Sequence, residues 1–100
     1  MGTGENRTEY QIEIAPAAKD DLTRLSTEIA NRISSKIDWI AQNVLSLSHK
    51  ALHHLPDDQT GLLKYRVGDY RILYRIIHSQ KLIRIYGIMH RSEKYRRLRK

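Results

Sequence analysis

One hundred residues is the length of one domain, and 40% hydrophobic composition is enough for a modest core, which excludes a wholly disordered chain. The absence of cysteine excludes disulfide frameworks, thiolate zinc sites and cysteine nucleophiles and is compatible with a cytoplasmic location. The net charge of +7 is divided unevenly: residues 1–60 hold six Lys/Arg against nine Asp/Glu, whereas residues 61–100 hold twelve against two, so the C-terminal part is suited to meet nucleic acid, an acidic protein or an anionic surface.

Residues 1–8 read as a flexible lead-in without an apolar signal core, and residues 9–100 as a single domain. Tyr10-Gln11-Ile12-Glu13-Ile14 alternates apolar and polar side chains, the period of a half-buried strand. Pro16 ends it and can open a helix from Ala17 to Leu25, with Leu22 and Leu25 facing inward. Ser26 or Thr27 can cap a second helix, in which Ile29, Ile33, Ile37, Ile40 and Val44 form one apolar stripe with Trp39 just off it. Ser46–Thr60 is polar, His-rich and contains Pro56-Asp57-Asp58, which predicts a connecting loop. His49, His53 and His54 within it have the spacing of zinc ligands if helical, but no third-ligand motif accompanies them, and no metal or cofactor is expected.

From Leu62 the period changes to two. Leu62–Val67, Tyr70–Ile77 and Lys81–Met89 read as three strands, joined by two-residue turns at Gly68-Asp69 and Ser79-Gln80. The best apolar stretch, residues 71–77, is broken by arginines, so no membrane span is expected. The tail from Arg91 reads as a short helix or arm. The expected fold is α+β: two helices packed on a small, mainly antiparallel four-stranded sheet in the order β-α-α-β-β-β, with a charged C-terminal tail or short helix.

The first turn determines which side chains share a face. With Gly68-Asp69 as its loop, Val67 pairs with Tyr70, Arg66 with Arg71 and Lys64 with Leu73. Lys64, Arg66, Arg71 and Arg75 then project from one face, while Leu63, Tyr65, Val67, Tyr70, Ile72, Tyr74 and Ile76 form a core face. A two-residue second turn places Arg75 opposite Arg84 and Leu73 opposite Tyr86. The outer face thus presents a lysine and arginines around a tyrosine. Directly opposed like charges repel across a sheet, a cost that bound phosphate would offset through paired hydrogen bonds to guanidinium. Tyrosine among arginines also suits stacking on unpaired bases. Arg75, Arg84, Tyr86 and His90 are therefore candidate RNA contacts. A loop after the last strand is expected to bring His90, Arg91 and Tyr95 back over this face, and an imidazole there can serve as acid or base.

The run Leu63-Lys64-Tyr65-Arg66-Val67-Gly68-Asp69-Tyr70-Arg71-Ile72-Leu73-Tyr74, followed by Ile88-Met89-His90-Arg91-Ser92-Glu93-Lys94-Tyr95, resembles the C-terminal signature of the RelE/ParE toxin superfamily. The order of elements is also similar, so the resemblance covers about residues 9–100. It implies a toxin of a type II toxin–antitoxin system held by a cognate antitoxin protein. RelE-type members act in the ribosomal A site as endoribonucleases on mRNA, and ParE-type members share the fold but inhibit DNA gyrase. A non-catalytic basic RNA-binding module is the third reading of the same charge pattern. Carried over residue by residue, the RelE-type site is matched by Lys64 and Arg66 on one strand, Arg71 on the next, Arg91 after the last strand and the terminal Tyr95. Arg66 departs from the pattern, which often has a second lysine there; arginine stays charged, so Arg66 fits charge stabilisation better than proton transfer.

The resemblance implies metal-independent cleavage by attack of an RNA 2′-OH on its adjacent phosphate. In that mechanism Lys64 accepts the 2′-OH proton and Arg66 and Arg71 stabilise the phosphorane. Arg91, with His90, protonates the leaving 5′-oxygen, and Tyr95 stacks on or orients a base.

Overall fold

A computed structural model describes residues 10–47, 50–51 and 62–93 of the chain. The first strand, β1 (Gln11–Ile14), stops at Ala15-Pro16. Proline has no N–H for a ladder and its φ is already helical, so Pro16 both ends β1 and begins helix α1 (Pro16–Thr23). The helix ends two residues earlier than its apolar spacing suggests. The Thr23 hydroxyl donates to the Asp20 carbonyl at 2.8 Å, and the Arg24 N–H turns back to the Asp20 and Asp21 carbonyls. Ser26 caps helix α2 (Thr27–Gln42), its hydroxyl accepting from the Ile29 N–H at 3.3 Å. Ile33, Ile37, Ile40 and Val44 are buried and Ile29 packs at their margin, so the predicted stripe is the helix face against the sheet.

The region expected to be one loop contains a two-residue strand, β2 (Lys50–Ala51), paired with Lys64 and Leu63. Residues 48–49 and 52–60, with His49, His53 and His54, lie outside the described residues. The remaining strands are β3 (Leu63–Val67), β4 (Tyr70–Ile77) and β5 (Leu82–His90), and the sheet order is β1-β5-β4-β3-β2, so β2 adds a short edge to the four strands expected. β1 runs parallel to β5 and every other pair is antiparallel. Two helices thus cover one face of a mixed sheet, the α+β arrangement expected.

The β3–β4 turn is as predicted. Gly68 has φ of 59°, and Lys81 is the one non-glycine with positive φ among the described residues, so Asp69 keeps negative φ. Positive φ at the first central position alone defines a type II′ turn, whose twist matches that of the strands. Val67 pairs with Tyr70 and Arg66 with Arg71.

The β4–β5 connection differs. A 3-10 turn over His78–Gln80 and the left-handed Lys81 (φ 48°) make a four-residue loop closed by the Ile77–Leu82 pair. Arg75 still faces Arg84, but Leu73 faces Gly87, not Tyr86. The register shifts between Leu73 and Tyr74, where Tyr74 faces Ile85, so Tyr86 is the extra residue of a β-bulge.

The core lies between the helices and the inner sheet face, where Ile72, Tyr74, Ile83 and Ile85 are fully buried. Burial, and secondarily the neighbouring Tyr65, push the Tyr74 phenol from 10.0 up to about 12. In the unfolded chain the phenol ionises near 10. Its contribution to stability is therefore complete below that pH and is lost as pH rises from 10 toward 12. Thermal unfolding followed against pH should show Tm falling across this window, and Tyr74→Phe should remove that part of the fall.

Candidate nucleic-acid interface

Lys64 and Arg66 stand two apart on β3, and Arg71 and Arg75 four apart on β4, so all four side chains leave the sheet on the face away from the helices. Because Val67 and Tyr70 close a two-residue turn, Arg66 and Arg71 form the next, non-hydrogen-bonded pair, with Cα atoms about 4.5 Å apart. Lys64 pairs with Leu73 one step further along. Arg84, opposite Arg75, brings a fifth cation from β5. Arg66 is exposed, whereas Lys64, Arg71, Arg75 and Arg84 are half-buried.

The reason is apolar. Leu73, between Lys64 and Gly87, is fully buried, and Met89, opposite Arg71, is 1% exposed. Their pairing puts both on the basic face, and both lie outside the helix-packed cluster. The guanidinium and ammonium groups thus rise around an apolar floor. Long basic side chains can cover such a floor with their aliphatic stems while keeping the charges in water.

The bulge re-aims Tyr86. Ile85 and Ile88 both face the core, leaving Tyr86 and Gly87 as two successive outward residues. The Tyr86 ring lies 5.5 Å from the Arg75 guanidinium carbon and 5.7 Å from that of Arg84. Arg84 Nε is buried without a hydrogen bond, and the Glu13 carboxylate on β1 lies 3.7 Å away. Glu13 marks the acidic edge of the basic surface.

Two expected members sit elsewhere. His90 is the last residue of β5, directly opposite Tyr70, and its ring meets the Tyr70 ring edge-on at 5.1 Å. Tyr70 packs on the core, so His90 lies on the helix side, and no loop returns it over the basic face. Its Nδ1 lies 2.9 Å from the Ser92 hydroxyl and accepts from the Ser92 N–H at 3.2 Å. Arg91 begins a 3-10 turn over Arg91–Glu93 at the tip of the β3–β4 hairpin. Its N–H donates to the Asp69 carbonyl at 2.8 Å, and its Nε lies 3.7 Å from the Asp69 carboxylate. That exposed ion pair is of the kind worth at most about 1 kcal/mol, so a phosphate can replace Asp69. Tyr95 lies outside the described residues.

Among the described residues no group of three His, Asp or Glu gathers as metal ligands, and no helix is long and apolar enough to cross a membrane. A cleft of about 200 Å³ lined by Ile29, Arg32, Val67, Asp69 and Tyr70 opens between α2 and the hairpin tip, on the helix side of the sheet. The basic surface is instead the sheet face opposite the helices, where the cations of β3, β4 and β5 lie side by side.

Arg66 and Arg71 repel each other in the unliganded protein. Arg66→Ala should therefore leave stability unchanged or raise it by up to about 1 kcal/mol in thermal unfolding. The same substitution should lower affinity for single-stranded RNA and reduce the slope of log affinity against log salt by about 0.7.

Comparison with known proteins agrees with this fold. Residues 12–95 match the family model described as ParE toxin of type II toxin-antitoxin system, parDE. The chain is 32% identical over 87 residues to Toxin RelE of Mycobacterium tuberculosis, covering 87% of each protein. Its fold is similar to that in the RelBE2 toxin–antitoxin complex of Mycobacterium tuberculosis (TM-score 0.72, 24% identity, 85% of this chain and 94% of that one). It is also similar to a mutant of E. coli toxin RelE in the free state (TM-score 0.68, 17% identity, 90% and 94%) and to a chain of the RelE–RelB complex of Pyrococcus horikoshii (TM-score 0.67, 22% identity, 84% and 97%). The family match spans most of the chain, and the chain belongs to the RelE/ParE superfamily of toxins from type II toxin–antitoxin systems.

Proposed function

We propose that this toxin is a ribosome-dependent endoribonuclease that cleaves mRNA in the ribosomal A site. The observation that carries the reading is the convergence of Lys64, Arg66 and Arg71 from adjacent strands on one sheet face beside the buried Leu73 and Met89. Three cations beside a low-dielectric floor stabilise charge building on one phosphate more strongly than the same cations in water. The 2′-oxygen of the substrate attacks the adjacent phosphorus and its proton passes to Lys64. The P–O5′ bond breaks, leaving a 2′,3′-cyclic phosphate and a 5′-hydroxyl.

Arg66 and Arg71 bind the non-bridging oxygens, where guanidinium offers paired hydrogen bonds. Arg91 exchanges Asp69 for the substrate and donates a proton to the departing 5′-oxygen, recovering it from solvent, and Tyr95 orients a base. Arg75, Arg84 and Tyr86 hold the flanking nucleotide. Arg71 and Arg75 are four residue steps apart on β4, about 13 Å, which sets the two contacts along a strand of RNA. His90 is withdrawn from the RNA-binding set because it faces the helix side. A cognate antitoxin, of the kind present in the RelBE2 and RelE–RelB complexes, is the second partner, and an acidic or amphipathic segment suits this surface.

The family model's description keeps a ParE-type reading, inhibition of DNA gyrase, as the competitor. Purified toxin with translating ribosomes and a defined mRNA, mapped by primer extension, should give discrete cuts, and supercoiling by gyrase should continue. Gyrase inhibition without cuts would replace this reading with the ParE-type one; RNA binding without either would leave a non-catalytic binding module. Arg71→Ala should lower cleavage by about a hundredfold or more while preserving the fold, because the residue faces away from the helices. Arg91→Ala and Tyr95→Ala should each weaken it.

A further inference from the structure

Asp21 is the one buried charged residue among those described, 7% exposed, and it lies on α1. Its carboxylate accepts from the Ile88 N–H at 2.8 Å, across 67 residues of sequence.

The sheet explains why a side chain is needed there. The Arg91 N–H bonds the Asp69 carbonyl, so hydrogen-bonded pairs between β4 and β5 fall at 69/91, 71/89 and 73/87. Ile72 and Ile88 form the intervening pair, and the Ile88 N–H points away from β4. On that side β5 is covered by β1 only as far as Ile85, where the Ala15 N–H makes the last bond. Pro16 then turns the chain into α1, and among the described residues no strand pairs with the rest of β5 on that side. An unpaired buried N–H there would be costly, and the carboxylate of Asp21 takes the place of the missing strand.

We infer that Asp21 is a positioning residue for the site. It clamps the end of β5 immediately after the bulge, in the stretch that places Met89 beneath Arg71 and delivers Arg91 to Asp69. The clamp acts through the backbone: what matters is an acceptor at this position, not its charge. The inference rests on the cleavage reading for its kinetic consequence, whereas its structural half does not.

The test compares Asp21→Asn, which keeps an acceptor oxygen, with Asp21→Leu, which fills a similar volume without one. Amide hydrogen exchange and ribosome-dependent cleavage are measured on both. In Asp21→Leu, Ile88 to Arg91 should exchange faster while Ile72 and Ile83 stay protected, and kcat should fall about ten- to hundredfold at nearly constant KM, the scale of a small displacement at a reacting centre. Asp21→Asn should remain close to wild type in both. Full cleavage by Asp21→Leu, or loss of cleavage in a folded Asp21→Asn that still protects Ile88, would overturn the inference. If Asp21→Leu does not fold, Asp21→Asn alone decides on the same criteria. A wild-type protein that cuts no mRNA sinks the cleavage reading instead, and the exchange comparison still tests the clamp.

Discussion

The register of the β3–β4 hairpin is the constraint on which the surface depends. A slip of one residue would carry Lys64 and Arg66 into the helix-packed core and turn Tyr65 and Val67 to solvent. The type II′ turn opposes such a slip, because Gly68 takes a φ that other residues adopt only with strain. Burial of Ile72 and Tyr74 opposes it from the other side. Turn chemistry and hydrophobic pattern thus select the same pairing, and that pairing sets Arg66 against Arg71. The repulsion is accepted because two independent preferences outweigh it.

What those charges rest on matters as much as their number. A sheet face of lysine and arginine alone would be fully solvated, and its field strongly screened. Leu73 and Met89 change this by excluding water from beneath the half-buried cations. The same floor gives a bound polymer something to press against. It also accounts for two large apolar residues on the side of the sheet opposite the helices, an arrangement without purpose if the basic face served packing alone.

Much of this is legible in the sequence, for local reasons. Period-two alternation and a Gly-Asp turn are enough to pair Arg66 with Arg71 and to separate the basic face from the core face, and both are as expected. The features that escape are those without a local signal. An inserted bulge residue looks like any other strand residue, so counting back from the turn sets Tyr86 opposite Leu73, one place out. His90 continues β5 where a loop is expected, and its parity puts it against Tyr70. Lys50-Ala51 is too short to show a period. Asp21 next to Leu22 on an amphipathic helix reads as a solvated charge. The end of β1 at Ile14, combined with the direction of the Ile88 N–H, is what brings that N–H to its carboxylate. A sign is nevertheless present: Ala18 and Asp21 are three apart, so they share a helix face, and Ala18 is completely buried.

The irregularities gather on one strand. β3 and β4 carry Lys64, Arg66 and Arg71 through an unbroken ladder, whereas β5 loses its outer neighbour after Ile85, takes in an extra residue at Tyr86 and regains a side-chain acceptor at Ile88. These three events lie within four residues and follow from one another. β1 must stop where Pro16 begins α1, which frees the edge of β5. A free edge tolerates a bulge that a central strand would resist, and the bulge turns Tyr86 between Arg75 and Arg84. The freed N–H then needs an acceptor, and α1, packed beside β5, supplies one. The regular half of the sheet therefore holds the charges at fixed spacing. The irregular half aims the aromatic ring and the strand end, and both depend on a proline that stands more than fifty residues from any of them in sequence.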